Sequence, residues 1–387
     1  MSVTAAKGFS ATGGPVGIKG SGRSDMAIVL ADAPVVTAAV FTQNKAAAAP
    51  VQISRAHLKA TGNMSRGVVL TSGNANAATG AAGLAAATTI THEVAQAVDA
   101  ADNEILICQT GLIGIPFPID ALEGAIAPLA NTLGSSEDDG NRAAVAIMTT
   151  DTFAKEVLVV GDGFVVGAMA KGAAMLEPNM ATMLSVITTD AEVSQEELAA
   201  MLIDAVGPSF NSLIVDGATS TNDTVIALAS GLAGPVDNAA LRAALAKVCL
   251  TLAEFMAFDA EGATKAVRIK VTGAKSDNEA HQGARKVANS LLVKCSLNGE
   301  DPYWGRVLSE VATAGIDCDP LLTTISYGGT VVSRAGEAAV HDHDLVAAHM
   351  KERWILLEID LGLGSGVGSV LTTDLGHGYI DENRTTS

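Results

Sequence analysis

Apolar and polar positions alternate along the chain on two periods. The run at residues 67–70 is short and wholly apolar apart from its glycine, and it predicts a buried strand ending in a polar turn at Ser72-Gly73-Asn74. Leu, Ile and Val between residues 84 and 98 recur at helical spacing. Residues 156–160 and 164–169 flank Gly161-Asp162-Gly163 and predict a hairpin. The next apolar run, residues 183–187, predicts a strand with both faces buried. A capping box, Ser194-Gln195-Glu196-Glu197, opens a helix that should stop at Gly207-Pro208. A further helix is expected over about residues 239–258, and residues 355–370 are strand-like around a glycine cluster. No repeat or long Pro/Ser linker divides the chain, so the class is mixed α/β, and periodicity leaves the order of the strands open.

Composition narrows what these elements build. The 387 residues suffice for a large core in one or two domains. Only 3% are aromatic while 39 are glycine, a mixture that favours close backbone approach over packing on large rings. The formal charge of -18 repels phosphate backbones, which argues against a nucleic-acid partner. Cys108, Cys249, Cys295 and Cys318 form no CxxC pair and are read as buried thiols of a reducing compartment. The uncharged segment 67–91 is too rich in Ser, Thr, Asn and Gly to span lipid. The first residues lack a basic stretch followed by an apolar one, so the expectation is a cytoplasmic protein.

The most informative segment is Lys171-Gly172-Ala173-Ala174-Met175-Leu176-Glu177-Pro178-Asn179-Met180-Ala181-Thr182-Met183-Leu184. A lysine and a Pro-Asn loop precede a threonine at the start of an apolar strand. Taken alone, Thr182 reads as an ordinary β-branched strand residue. A break before it would instead place a free α-amine beside its hydroxyl. Such an amine titrates near ~8 and can serve as the base that a threonine nucleophile needs.

This segment, continued through Thr188-Thr189-Asp190, resembles the self-cleavage motif of the ornithine acetyltransferase family. Ala174 stands where that family carries glycine. The resemblance extends over the whole chain. Lys7-Gly8-Phe9, Gly17-Ile18-Lys19, Gly73-Asn74-Ala75-Asn76-Ala77, Met148-Thr149-Thr150-Asp151-Thr152, Ser220-Thr221-Asn222-Asp223 and Asp259-Ala260-Glu261-Gly262-Ala263-Thr264-Lys265 match its motifs in order. Asp301-Pro302-Tyr303-Trp304-Gly305-Arg306 is similar too, with Tyr303 in place of asparagine.

The resemblance implies a layered αββα sandwich of two sheets between helices. It further implies cleavage between Ala181 and Thr182, giving fragments 1–181 and 182–387 that remain one composite fold and assemble as a heterotetramer of two each. Thr182 would carry acetyl from N-acetylornithine to glutamate. Thr110 and Gly111, in a loop similar to the family's T-G-V-I-G, would stabilise the oxyanion. Leu112 there replaces valine, and Gln109 precedes the loop where the family has Ser or Ala. Substrate contacts would be Thr149 (Thr150 beside it is an alternative), Lys171, Thr182, Glu261, Asn383 and a C-terminal hydroxyl, Ser387 or Thr386. The C-terminus lacks the family's aromatic residue and is one residue shorter. No cofactor or metal is implied, while acetyl-CoA as a co-substrate is left open. A self-cleaving amidase or aminopeptidase of the same superfamily is the rival reading. His341-Asp342-His343 is read as a solvated loop rather than a metal site. The glycines at 362–368 lack the spacing of a phosphate loop.

Overall fold

The computed structural model describes residues 3–177 and 183–384. Ala181, Thr182 and Ser387 therefore lie outside the described residues. Seven strands come first in the chain: β1 (Phe9–Gly14), β2 (Met26–Phe41), β3 (Met64–Asn74), β4 (Ile105–Leu112), β5 (Lys155–Val160), β6 (Val165–Lys171) and β7 (Leu184–Glu192). The short β8 (Leu213–Ile214) opens a second sheet, and β9 (Thr224–Pro235) returns to the first. The second sheet is completed by β10 (Ala266–Ala274), β11 (Thr324–Tyr327), β12 (Thr330–Arg334), β13 (Glu337–Ala338), β14 (Trp354–Asp360) and β15 (Gly366–Thr373).

In the first sheet the order is β4-β3-β2-β9-β7-β6-β5, with β1 added alongside β2. The second runs β13-β12-β11-β14-β10-β15-β8. Helices pack on both, so the class is the expected mixed α/β with two sheets and helices. The helix Asn238–Phe258 shows why. Leu241, Leu245, Val248, Leu252 and Met256 recur at helical spacing and are wholly buried. Each such side chain contributes roughly 1.5–3 kcal/mol. They share a core with Val166 and Ile187 of the first sheet and with Ala266 and Leu371 of the second.

Local expectations hold where chemistry is local. The turn Gly161–Phe164 closes the β5–β6 hairpin through Gly161 N–H to the Phe164 carbonyl, 2.9 Å. Ser194 and Glu197 form their reciprocal cap, and the helix runs Gln195–Val206. His341-Asp342-His343 departs from the expected loop, since Asp342 accepts N–H bonds from Asp344 and Leu345 and caps the helix His343–Lys351. The glycine cluster near 364 does not simply join two hairpin strands. β10 lies between β14 and β15, parallel to the first and antiparallel to the second. At Gly368 a Cβ would come within 2.3 Å of the His281 backbone nitrogen, so its absence lets the helix Asp277–Ala288 sit directly on β15.

The cysteine expectation needs correction. Cys108 and Cys249 are buried, but Cys318 is half-buried and Cys295 is exposed. Cys295 points away from the face of its helix that carries Val293 and Leu297. No helix among the described residues is long and apolar enough to cross a membrane.

Candidate active site

The strand ends β3, β4 and β6 meet the loops after Met148, Asp216 and Asp259 around one cavity of about 390 Å³. Thr110, Gly111, Thr149, Lys171, Glu261 and Asn383 all line it. Thr150 lines it as well, so both threonines are placed beside the cavity.

Thr110 and Gly111 stand near the end of β4, paired with Ser72 and Gly73 at the end of β3. Gly111 adopts φ of 135°, a left-handed region that favours glycine. A Cβ there would fall 2.3 Å from the Gly73 carbonyl carbon and 2.5 Å from the Asn74 nitrogen. The strand end is clamped from below. Asn222 Nδ2 donates to the Ala75 carbonyl at 2.5 Å and to the Gln109 carbonyl at 2.9 Å. Gln109 itself is fully buried, accepting from Asn76 Nδ2 at 2.8 Å and donating to Thr71 Oγ1 at 3.1 Å. Its carboxamide thus serves a hydrogen-bond network, which accounts for an amide at this position.

Lys171 ends β6 and pairs in register with Leu184, the first residue of β7. Strand β7 begins two residues after Thr182. The Met183 N–H donates to Asp223 Oδ1 at 2.8 Å. Burial lifts the Asp223 carboxyl well above the usual carboxylate range, and burial likewise lowers the Lys171 ammonium.

Under Lys171 lies a network of buried charges that sequence reasoning gave no role. Lys155 Nζ donates to Asp151 Oδ1 at 2.6 Å and to Asp259 Oδ2 at 2.5 Å. Asp151 also accepts from the Gly172 N–H at 2.8 Å and from the Thr149 N–H at 3.0 Å, and lies 3.9 Å from Lys171 Nζ. Burial alone would raise the Asp151 carboxyl, but Lys171 and Lys155 outweigh it and hold the group at about 2. The network therefore ties the Met-Thr-Thr-Asp-Thr and Asp-Ala-Glu-Gly motifs to the lysine.

Asp216 was missed as well. Its carboxylate accepts from the N–H groups of Met175 (2.5 Å), Leu176 (2.9 Å) and Ala218 (3.2 Å), and from Tyr379 Oη (3.2 Å). Burial and this carboxylate push the Tyr379 phenol up to about 12. Met175 has a φ of 55°, so the segment leading toward Thr182 holds a non-glycine residue in a left-handed conformation. Such a residue costs about 1–2 kcal/mol, and Asp216 offsets this by receiving its N–H. On the far wall, Asn383 Nδ2 donates to Glu261 Oε2 at 2.7 Å, while the Glu261 N–H bonds the Ala173 carbonyl at 2.9 Å. A signal for Asp216 did exist, since it follows the apolar, buried pair Ile214-Val215, whereas Asp151 stands between the exposed Thr150 and Thr152 and gave none.

Arranged this way, the cavity offers an N–H and a hydroxyl at a strand end, a buried lysine, and an acidic wall. That set suits acyl transfer to or from an amine-bearing small molecule.

Comparisons with known proteins agree. The ArgJ family model matches residues 10–385. The arginine biosynthesis bifunctional protein ArgJ of Thermobifida fusca is 44% identical over 386 residues, covering 99% of each chain. Its namesake in Streptomyces coelicolor is 42% identical over 385 residues, again covering 99% of both. A solved chain of the arginine biosynthesis bifunctional protein argJ from Bacillus halodurans aligns with a TM-score of 0.51 at 34% identity, covering 52% of this chain and 99% of its own. With its model matched over nearly the whole chain, the protein belongs to the ArgJ family.

Proposed function

We propose that this ArgJ-family acetyltransferase moves acetyl from N-acetyl-L-ornithine to L-glutamate through an acetyl ester on Thr182. The observation that carries the reading is convergence. Thr110, Gly111, Thr149, Lys171, Glu261 and Asn383 come from distant parts of the chain and line one cavity at the strand end that precedes β7.

Self-cleavage comes first. Thr182 Oγ attacks the Ala181 carbonyl carbon, the peptide C–N bond breaks, and the nitrogen keeps the hydroxyl proton as a new α-amine. Water then hydrolyses the ester, releasing the Ala181 carboxylate and restoring the hydroxyl. In turnover that amine takes the Thr182 proton as the hydroxyl attacks the acetyl carbonyl, and hands it to departing ornithine. The α-amine of glutamate next attacks the acetyl ester, giving N-acetylglutamate and the free hydroxyl. Thr110 and the Gly111 N–H stabilise each oxyanion. Lys171 contacts substrate, and its positive charge disfavours protonation of the neighbouring amine. Glu261, steadied by Asn383, receives the ornithine ammonium. Ser387, or Thr386 beside it, supplies the C-terminal hydroxyl.

The two fragments would be 1–181 and 182–387. Supporting this, β6 and β7 pair across the junction, so each fragment needs the other to complete a sheet. The solved Bacillus halodurans chain, which covers 52% of this one, has fragment length. We extend the proposal to a heterotetramer of two fragments each in a reducing cytoplasm, in keeping with four free cysteines. No resident cofactor is proposed. Acetyl-CoA as a second donor is supported by the relatives' name of bifunctional protein. The hydrolase reading is not favoured, because relatives above 40% identity across nearly the whole chain carry the arginine-biosynthesis name.

Intact mass before and after brief exposure to N-acetylornithine tests the proposal. The 39.1 kDa chain should give fragments of roughly 18 and roughly 21 kDa, the larger gaining one acetyl group. A whole chain that takes up no label would sink it, and cut but unlabelled fragments would restore the hydrolase. Thr110→Val, which removes only the hydroxyl, should lower kcat by about 10²–10³. An unchanged kcat would remove Thr110 from the oxyanion site.

A further inference from the structure

Acetyl exchange asks one cavity to hold two amino acids whose side chains carry opposite charge. Their α-nitrogens and α-carboxylates are alike. Ornithine adds an ammonium, for which Glu261 is suited, but glutamate adds a carboxylate that needs a cation of its own. That cation should serve the acceptor and leave the donor nearly untouched.

Lys19 and Arg23, on the loop between β1 and β2, line the same cavity. The loop is built around the buried Asp25, whose carboxylate accepts the N–H groups of Val16 at 2.6 Å and Lys19 at 2.8 Å. Lys19 Nζ donates to the Ser24 carbonyl at 2.9 Å and to the Met148 carbonyl at 2.8 Å, the residue before Thr149. Two of its three N–H groups are thus engaged, leaving one. A Cβ on Gly73 would lie 2.9 Å from Lys19 Cγ, so the bare glycine gives the lysine stem its path across the end of β3. Arg23 is exposed at the rim, its Nε bonded to Ser21 Oγ at 3.2 Å. Burial, with Arg23 and Lys171 nearby, depresses the Lys19 ammonium to about 8 despite Asp25. Three cations thus crowd one side of a cavity in a chain of net charge -18. An entering carboxylate would relieve their repulsion.

We propose that Lys19 and Arg23 form the subsite for the side-chain carboxylate of the acceptor amino acid, separate from the Glu261–Asn383 wall that serves the donor's side-chain ammonium. The inference rests on the acetyl-exchange reading, and measuring the two half-reactions separately on self-cleaved enzyme tests it. In Arg23→Gln, the glutamate concentration needed to discharge acetyl-enzyme should rise about tenfold. Acetyl uptake from N-acetylornithine should change by less than about twofold. The preference for glutamate over glutamine as acceptor should shrink with the first effect. Lys19→Gln should show the same split. Arg23→Glu should weaken glutamate further while sparing glutamine, a pattern that loss of packing does not give. Equal damage to both half-reactions would overturn the proposal in favour of a contact to the shared α-carboxylate. An unaltered acceptor preference would overturn it in favour of a solvated rim. Failure of the exchange reading looks different, because unmodified enzyme would then take no acetyl from N-acetylornithine.

Discussion

Replacing Thr182 with alanine should leave the chain whole at 39.1 kDa and abolish acetyl transfer. One hydroxyl performs both reactions in the proposed scheme, so one substitution removes both. Without it no ester forms at Ala181, and no α-amine is released to act as base. Even if the chain were cut by another route, no oxygen would remain to carry acetyl. The loss in kcat should exceed about a thousandfold, the scale on which removal of a covalent nucleophile acts. Thr182→Ser keeps the hydroxyl and should both cleave and transfer, more slowly. Intact mass and single-turnover labelling read the two outcomes, while an unchanged thermal midpoint shows that the uncut chain is folded. A Thr182→Ala chain that still splits into fragments of roughly 18 and 21 kDa would place the self-cleaving group elsewhere.

Features set by neighbours in sequence were legible before the fold was known. The Ser194–Glu197 cap, the turn at residues 161–164 and the buried stripe of Asn238–Phe258 each depend on residues a few positions apart. Strand order was not legible. β10 lies between β14 and β15, and the reason for Gly368 shows itself only when the helix Asp277–Ala288 is seen packed against β15. The exposure of Cys295 depends in the same way on which face its helix turns inward.

Legibility of the site followed a different rule. Thr110, Lys171 and Glu261 are unremarkable residue types, and only their places within ordered motifs marked them. The cavity then gathers them. Residues that touch no proposed substrate atom were given no role, even Asn222, which stands inside a matched motif. Asp216 steadies the Met175 turn and Asn222 clamps the end of β4, and both act through backbone groups that a motif does not display.

Replacing Lys155 with methionine should destabilise the protein by about 3–5 kcal/mol, the cost of leaving buried charges without their partner. Lys155 is fully buried between two carboxylates that are themselves almost wholly buried. Methionine fills much of the same volume, so the penalty is electrostatic rather than a cavity. Adding Asp259→Asn to Lys155→Met should recover part of the loss, since Asp151 keeps Lys171 as a partner at 3.9 Å. Acid stability gives a second reading of the network. A folded-state carboxyl near 2, below its unfolded value of about 3.9, contributes stability that is complete above about pH 4. That contribution disappears as pH falls toward 2. In Lys155→Met the Asp151 carboxyl rises toward its unfolded value, so the loss still begins near pH ~4 but is complete at a higher pH and is smaller in total. Denaturant midpoints of the two variants and the parent between pH 2 and pH 7 measure both effects. A Lys155→Met protein as stable as the parent across that range would mean that the buried pairs stabilise no more than a neutral core would.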